Sequence, residues 1–299
     1  MEFASSDGGQ NRARSMRRKK QLSGYFMGIP IGVWMIVIVI IPVMIMMVMS
    51  LRVKLGPREI SPLSLGNYIE FFRKPVYWKL FLKTFRMALQ VSITAIIVSY
   101  PLAYYISRKL KKLRNLMFML IITPLWVSYL IRIIAWRTIL GNKGLMNVIL
   151  LRIGIIDAPI RLFLYNQFAV VLTLTYIAIP FVFIPLYTAL EKIPRNLLDA
   201  SIDLGASEFK TLLRIIIPLS SPGLITGFML SFIIALGDYI IPQQLGGSGG
   251  IMYGNIVWSQ FGIISNWYLG SALGFVLFAV AAVFIAMVRK FGSKEGVYM

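Results

Sequence analysis

LEKIPRNLLDASIDLGASEFKTLLRIIIP, Leu190 to Pro218, is the one long charged interruption between two very apolar runs in the second half of this chain. It carries four basic and four acidic residues and reads as two short helices meeting at a glycine. Pro194 can open the first helix, where its missing N–H costs nothing, and Leu197, Leu198, Ser201 and Leu204 then share a face. Gly205 ends that helix. Ser207 can cap the second, Glu208 suits the positive end of its dipole, and Pro218 marks where the next segment leaves. With apolar runs on both sides, such a bent helix pair projects from a membrane.

The whole composition agrees. Hydrophobic residues make up 58% of the 299 and charged residues 14%, and several uncharged runs exceed the roughly 20 residues that cross a bilayer. The expectation is an all-α polytopic membrane protein. With no cysteine and no histidine, disulfides, thiolate chemistry, imidazole acid–base catalysis and the usual zinc ligands are excluded. A net charge of +20 fits lysines and arginines that flank spans and meet anionic lipid headgroups, rather than nucleic acid.

Residues 1–21 form a polar, increasingly basic tail ending in Arg17-Arg18-Lys19-Lys20, and residues 22–290 form the membrane domain. An uncharged run from Leu22 to Leu51, longer than a signal-peptide core and without a small-residue cleavage site, reads as an uncleaved anchor with its N-terminus in the cytoplasm. Five further spans are expected at about Phe85–Ser107, Asn115–Leu140, Phe168–Leu190, Ser221–Ile241 and Leu269–Val288, followed by a short tail, 291–299. Six spans return the C-terminus to the cytoplasm. The inside segments then hold 18 of the 31 lysines and arginines and the outside loops 10, in the sense of the positive-inside rule. The external loop Arg52 to Lys83 runs against that bias with seven basic residues. Its aromatics interleave with Arg73, Lys74, Lys79 and Lys83, as in an amphipathic helix lying along the outer interface, a membrane-anchoring belt in the first reading and a partner site in the second. Pro42, Pro101, Pro124, Pro180, Pro185 and Pro222 fall within spans and should kink them. The uncharged external loop Pro242 to Trp267 should be flexible at Gly246–Gly250 and then re-entrant or packed on the bundle, since IVWSQFG is too apolar for a free loop.

Within the opening stretch the spacing is specific: Asp199-Ala200-Ser201, three residues, Gly205, nine residues, then Ile215-Ile216-Ile217-Pro218. This resembles the EAA loop of ABC-importer permeases, with Asp199 for Glu, Ser201 for the second Ala and Ile217 for Leu. PLWVSYLIRIIAWRTILGNKGLMN (Pro124–Asn147), the stretch Ile217–Gly247 and MYGNIVWSQFG (Met252–Gly262) are similar to the spermidine/putrescine branch of that family. Branches carrying iron, thiamine, phosphonates or opines have similar loops. The resemblance implies a type I importer permease with a cytoplasmic coupling helix, in which Leu197, Leu198, Asp199, Ala200, Ser201, Gly205, Ile215 and Pro218 meet an ATPase. It further implies a second, homologous permease subunit, two ATPase subunits and an extracytoplasmic substrate-binding protein, all in a bacterial inner membrane.

Ionisable residues inside spans are costly and mark function by default. Arg132 and Arg137 follow Trp126 and Tyr129 near the outer end of the third span, and Asp238, followed by Tyr239, is the one acid in a span. Trp126, Tyr129, Arg132, Asp238 and Tyr239 are the candidates for a substrate pathway, where aromatic faces and a carboxylate could hold an ammonium briefly. A structural pairing of Asp238 with Arg132 is the alternative. Intramembrane aspartyl protease chemistry needs two neighbouring carboxylates, and Asp238 has no mate. No G-x-x-x-x-G-K-[ST] run is present, so ATP, if used, is bound by another polypeptide and this chain needs no cofactor of its own. A secondary transporter would carry several intramembrane acids or inverted repeats, and neither is seen.

Overall fold

The computed structural model describes residues 30, 32–54, 56, 62–160 and 163–295, the last five of these as backbone. The basic N-terminal tail, the first third of the anchor run and residues 296–299 lie outside the described residues. The described residues are built from helices: α1 (Gly32–Ser50), α2 (Gly66–Arg73), α3 (Pro75–Lys109), α4 (Arg114–Trp126), α5 (Tyr129–Leu140), α6 (Leu145–Arg152), α7 (Gln167–Lys192), α8 (Arg195–Asp203), α9 (Glu208–Gly237), α10 (Ile240–Leu245), α11 (Tyr253–Phe261) and α12 (Trp267–Glu295).

α7 sits at the centre. Its sequence is apolar all round, as a helix with neighbours on every side must be, and Ala169, Val170, Leu174, Ala178, Val182, Phe183, Leu186 and Leu190 are fully buried. α3 and α9 pack along it, α12 packs on α9, and α1 lies outermost against α12 with no buried residue in its membrane window. Lipid tails are as apolar as leucine, so burial alone does not hold such helices together; close approach and interhelical hydrogen bonds do. Gly223 and Gly227, one turn apart on α9, supply the approach. A Cβ on Gly223 would lie 2.6 Å from the carbonyl oxygen of Pro185, and one on Gly227 3.2 Å from the backbone of Val182. The hydrogen bonds run from Thr94 to Thr175 (2.9 Å) and from Tyr100 to Ser220 (3.1 Å), joining α3 to α7 and to α9.

Four expectations change. The second span begins at Pro75, ten residues before Phe85, because Lys79 and Lys83 interrupt the apolar run without interrupting the helix. The fifth begins at Glu208 inside the coupling segment. Pro218 and Pro222 lie within it, and a π-turn over Leu212–Ile216 lets the Ile217 N–H reach back to Leu212 where Pro218 has no N–H to give. The third, expected as one span over Asn115–Leu140, is broken. Thr123–Trp126 tightens into a 3₁₀ turn around Pro124, Val127 and Ser128 are extended, and the chain turns by 98° between α4 and the α5–α6 arm. The described residues thus hold five long apolar helices plus this bent pair, six crossings if the pair counts as one. The external glycine run is ordered: Gly247–Gly250 makes one helical turn, Gly250 seats against Asn166 and Val170, and Lys83 donates to the carbonyls of Gly249 (2.5 Å) and Ile251 (3.0 Å).

Candidate functional site

Two regions carry the candidate residues. The first is the charged segment between α7 and α9. Lys192 ends α7, Ile193 and Pro194 are extended, and α8 runs from Arg195, one residue later than the sequence suggests, with Pro194 as its cap. At its far end the Ala206 N–H bonds to the Ser201 carbonyl (3.0 Å) and the Gly205 N–H to that of Ile202 (2.8 Å). These two bonds define a Schellman motif, whose penultimate residue must be left-handed, and Gly205 has φ +78°. Ser207 then accepts from the Lys210 N–H at 3.3 Å and caps α9, with Glu208 in the first turn.

This geometry divides the predicted face. Ser201 is buried, bonded to Thr211 at 2.6 Å, and Leu198 packs on the core, so these two bolt α8 to the bundle. Leu197, Asp199, Ala200 and Gly205 are exposed. Leu204, expected on the inward face, projects with 88% of its surface free, because it is the cap just past α8, where the Schellman turn leaves the helical path. Ile202 and Phe209 are exposed beside it; the sequence reading did not single them out, although two large apolar residues in a charged segment were the available signal. Ile215 is half-buried, while Pro218 is exposed within α9. Ile202, Leu204 and Phe209 are thus three exposed large apolar residues, together termed the apolar knob, on a polar helix hairpin.

The turn between α3 and α4 grips this hairpin. Arg108 donates to the carbonyls of Leu190 and, at 2.8 Å, Ile193, capping the end of α7 with a cation. Lys109 pairs with Glu208 at 3.2 Å, and Arg114 reaches Glu191 at 2.5 Å and the Tyr187 hydroxyl at 2.6 Å. Exposed pairs contribute only about 0–1 kcal/mol each. Together they tie the α3–α4 turn to both ends of the segment, the end of α7 and the start of α9, between which α8 lies.

The second region joins two helix breaks. Asp238 ends α9 in an extended conformation, and its Oδ1 accepts from the Ile241 N–H at 2.9 Å, starting α10. Its Oδ2 accepts from the Tyr129 hydroxyl at the first residue of α5. The expected structural alternative, Asp238 with Arg132, is therefore corrected. Tyr129 is the partner of that oxygen. Arg132 instead lies over the Tyr129 ring at 5.6 Å, with Nε and one Nη buried and without a hydrogen bond. Tyr239 stacks on Trp258 (6.0 Å, 15° between planes), and Trp126 is 82% exposed at the end of α4, apart from this cluster. Arg137 is exposed and donates to Tyr165 and Gln244. Losing the Tyr129 hydroxyl would leave a carboxylate oxygen unpaired, at about 1–3 kcal/mol. Among the described residues no three His, Cys, Asp or Glu side chains gather as a metal site requires.

The helical membrane bundle has the fold of ABC-transporter permeases. The structure is similar to a bacterial ABC transporter involved in the import of the acidic polysaccharide alginate (TM-score 0.72, 16% identity, 97% of this chain and 100% of that one). It is also similar to the MetNI methionine ABC transporter in an inward-facing conformation (TM-score 0.51, 18% identity, 74% and 96%). The chain belongs to the family of inner-membrane components of binding-protein-dependent transport systems, whose model matches residues 95–291. It is a multi-pass permease of the inner membrane. Among curated relatives, the spermidine/putrescine transport system permease protein PotB of Haemophilus influenzae is 34% identical over 253 residues, 84% of this chain and 88% of that protein. PotB of Escherichia coli K12 is 37% identical over 214 residues, 72% and 77%. The Escherichia coli inner membrane ABC transporter permease protein YdcU is 32% identical over 248 residues, 78% and 77%.

Proposed function

We propose that this chain is one of two permease subunits of an ATP-driven polyamine importer, taking up spermidine or putrescine. The observation that carries the substrate class is the likeness to PotB proteins, 34–37% identical over 72–84% of this chain. In this reading α8 and the apolar knob dock on one of two ATPase subunits, which bind the ATP, while a second homologous permease completes the pathway. An extracytoplasmic binding protein selects the cargo. Both termini lie in the cytoplasm, on the side of the basic tail, the Arg108–Arg114 turn and α8. An open groove of 620 Å³ beside α8, lined by Pro185, Thr188, Leu197, Pro222 and Thr226 among others, supports a half-pathway at the inner ends of α7 and α9, where both helices carry prolines.

The test is uptake of labelled spermidine and putrescine by the assembled complex in proteoliposomes. Uptake that requires both ATP and the binding protein is expected, and no uptake of either polyamine would overturn the substrate assignment. Asp238 and Tyr129 act here as the joint between the two helix breaks. Asp238→Asn and Tyr129→Phe should therefore lower the yield of assembled complex in parallel while Arg132→Gln does not, whereas slowed uptake by a fully assembled Asp238→Asn complex alone would place that carboxylate on the cargo.

A further inference from the structure

The functional reading leaves α2 unused. Asn67 donates to the carbonyls of Ser50 (3.1 Å) and Arg52 (2.7 Å), and the Tyr68 hydroxyl donates to Ser50 Oγ (2.8 Å). Phe71 is buried, edge-on to Phe81 and Tyr253. These contacts define the face that α2 turns to the protein. At 100° per residue a second face carries Leu65, Ile69 and Phe72, which are 61%, 63% and 74% exposed. The third sector carries Glu70 and Arg73, with Lys74 folded back on Glu70 at 2.6 Å. A surface helix at a water boundary needs two faces. This one has three, for protein, for an apolar medium and for water.

Its position says which apolar medium. α1 has no fully buried residue in its membrane window, is exposed on the side away from α12 up to Met47 and Val48, and ends at Ser50. The Asn67 and Tyr68 bonds hold α2 directly on that last residue, so its apolar stripe continues the lipid-facing surface of α1 at the depth where acyl chains meet headgroups. Arg52, Arg73 and Lys79 are exposed around it, and Lys79 lies 5.8 Å from the Trp78 ring, as side chains at a headgroup boundary do. Glu70, the acid on α2, is already paired with Lys74. The charge left over is positive and suits phosphate.

We propose that the α2–α3 elbow is a lipid seat: Leu65, Ile69 and Phe72 enter the acyl region while Arg52, Arg73 and Lys79 hold the phosphates of anionic phospholipids. Its assignment to the outer leaflet rests on the topology proposed above; the lipid contact does not. A cysteine at Phe72, alone in a chain without others, carries an environment-sensitive fluorophore in vesicles of phosphatidylcholine with and without phosphatidylglycerol. Nitroxide lipids labelled high on the acyl chain should quench it several-fold more than they quench a label at Ser248, and aqueous iodide should leave it almost untouched. Phosphatidylglycerol should raise the melting temperature of the unlabelled chain, and Arg73→Gln with Lys79→Gln should remove that rise. Strong iodide quenching at position 72, relieved when an external binding protein is added, would overturn the proposal and assign the stripe to that protein. A melting temperature indifferent to phosphatidylglycerol would overturn its anionic part. An impermeant reductant separates the leaflets: a lipid-quenched label on the cytoplasmic side keeps the seat and refutes the topology.

Discussion

Gly223→Val should yield almost no folded permease. The substituted Cβ would fall 2.6 Å from both the Pro185 carbonyl oxygen and the Ala189 Cβ, closer than real Cβ atoms approach anything. One of these neighbours is backbone, in the central helix α7, so the strain cannot be relieved by a rotamer change; α9 must move off α7. Overpacking a fitted core costs about 1–3 kcal/mol for small insertions. Here the shift also reaches the contact of Gly227 with Val182 and the Tyr100–Ser220 hydrogen bond. Size-exclusion profiles of the solubilised protein should show the folded peak lost in Gly223→Val and reduced in Gly223→Ala. A normal profile for Gly223→Val would mean that α7 and α9 do not meet this way.

Gly205→Val should leave the permease inserted and folded yet abolish ATP-driven uptake or loosen the ATPase. An added Cβ meets nothing within 4 Å, so the cost is conformational. A β-branched residue at φ +78° is an outlier, and left-handed backbone costs about 1–2 kcal/mol per non-glycine residue. The Schellman turn opens, and Leu204 and Phe209 lose their fixed relation. Asparagine tolerates the left-handed region, so Gly205→Asn should retain much of the uptake. Full uptake with normal ATPase pull-down in Gly205→Val would sink the assignment of α8 as the coupling element.

What the sequence made legible was local chemistry. The cap at Ser207, the stop at Gly205 and the short first helix follow from residue types that act within four positions, and the structure has them; the second helix starts where expected, at Glu208, but runs on as α9 instead of ending. Leu204 was misplaced because helical periodicity was carried one residue too far, into a turn that reverses its direction. The break at Val127 and Ser128 escaped because hydropathy measures the length of an apolar run and not its backbone, and Pro124 was one of six prolines expected merely to kink. Lys79 and Lys83 shortened the second span on paper, yet both sit among the buried Tyr77, Phe81 and Thr84 of α3, Lys79 turned to the exposed side and Lys83 bonded to the Gly249 and Ile251 carbonyls, so the helix runs through them. The partner of Asp238 could not be read, since Tyr129 lies 109 positions away and the competing Arg132 is only three residues further along.

The most direct test of the central claim, that the α8 hairpin faces the cytoplasm and docks the ATPase, uses the absence of cysteine from the chain. A single cysteine replacing Leu204, the most exposed residue of the knob, is treated with a bifunctional thiol reagent in membranes of the assembled complex. It should cross-link to the ATPase subunit and resist an impermeant maleimide applied from outside, whereas a cysteine at Ser248 should react with that maleimide. Labelling of position 204 from outside, or no cross-link to an ATPase that co-purifies with the chain, would contradict the account.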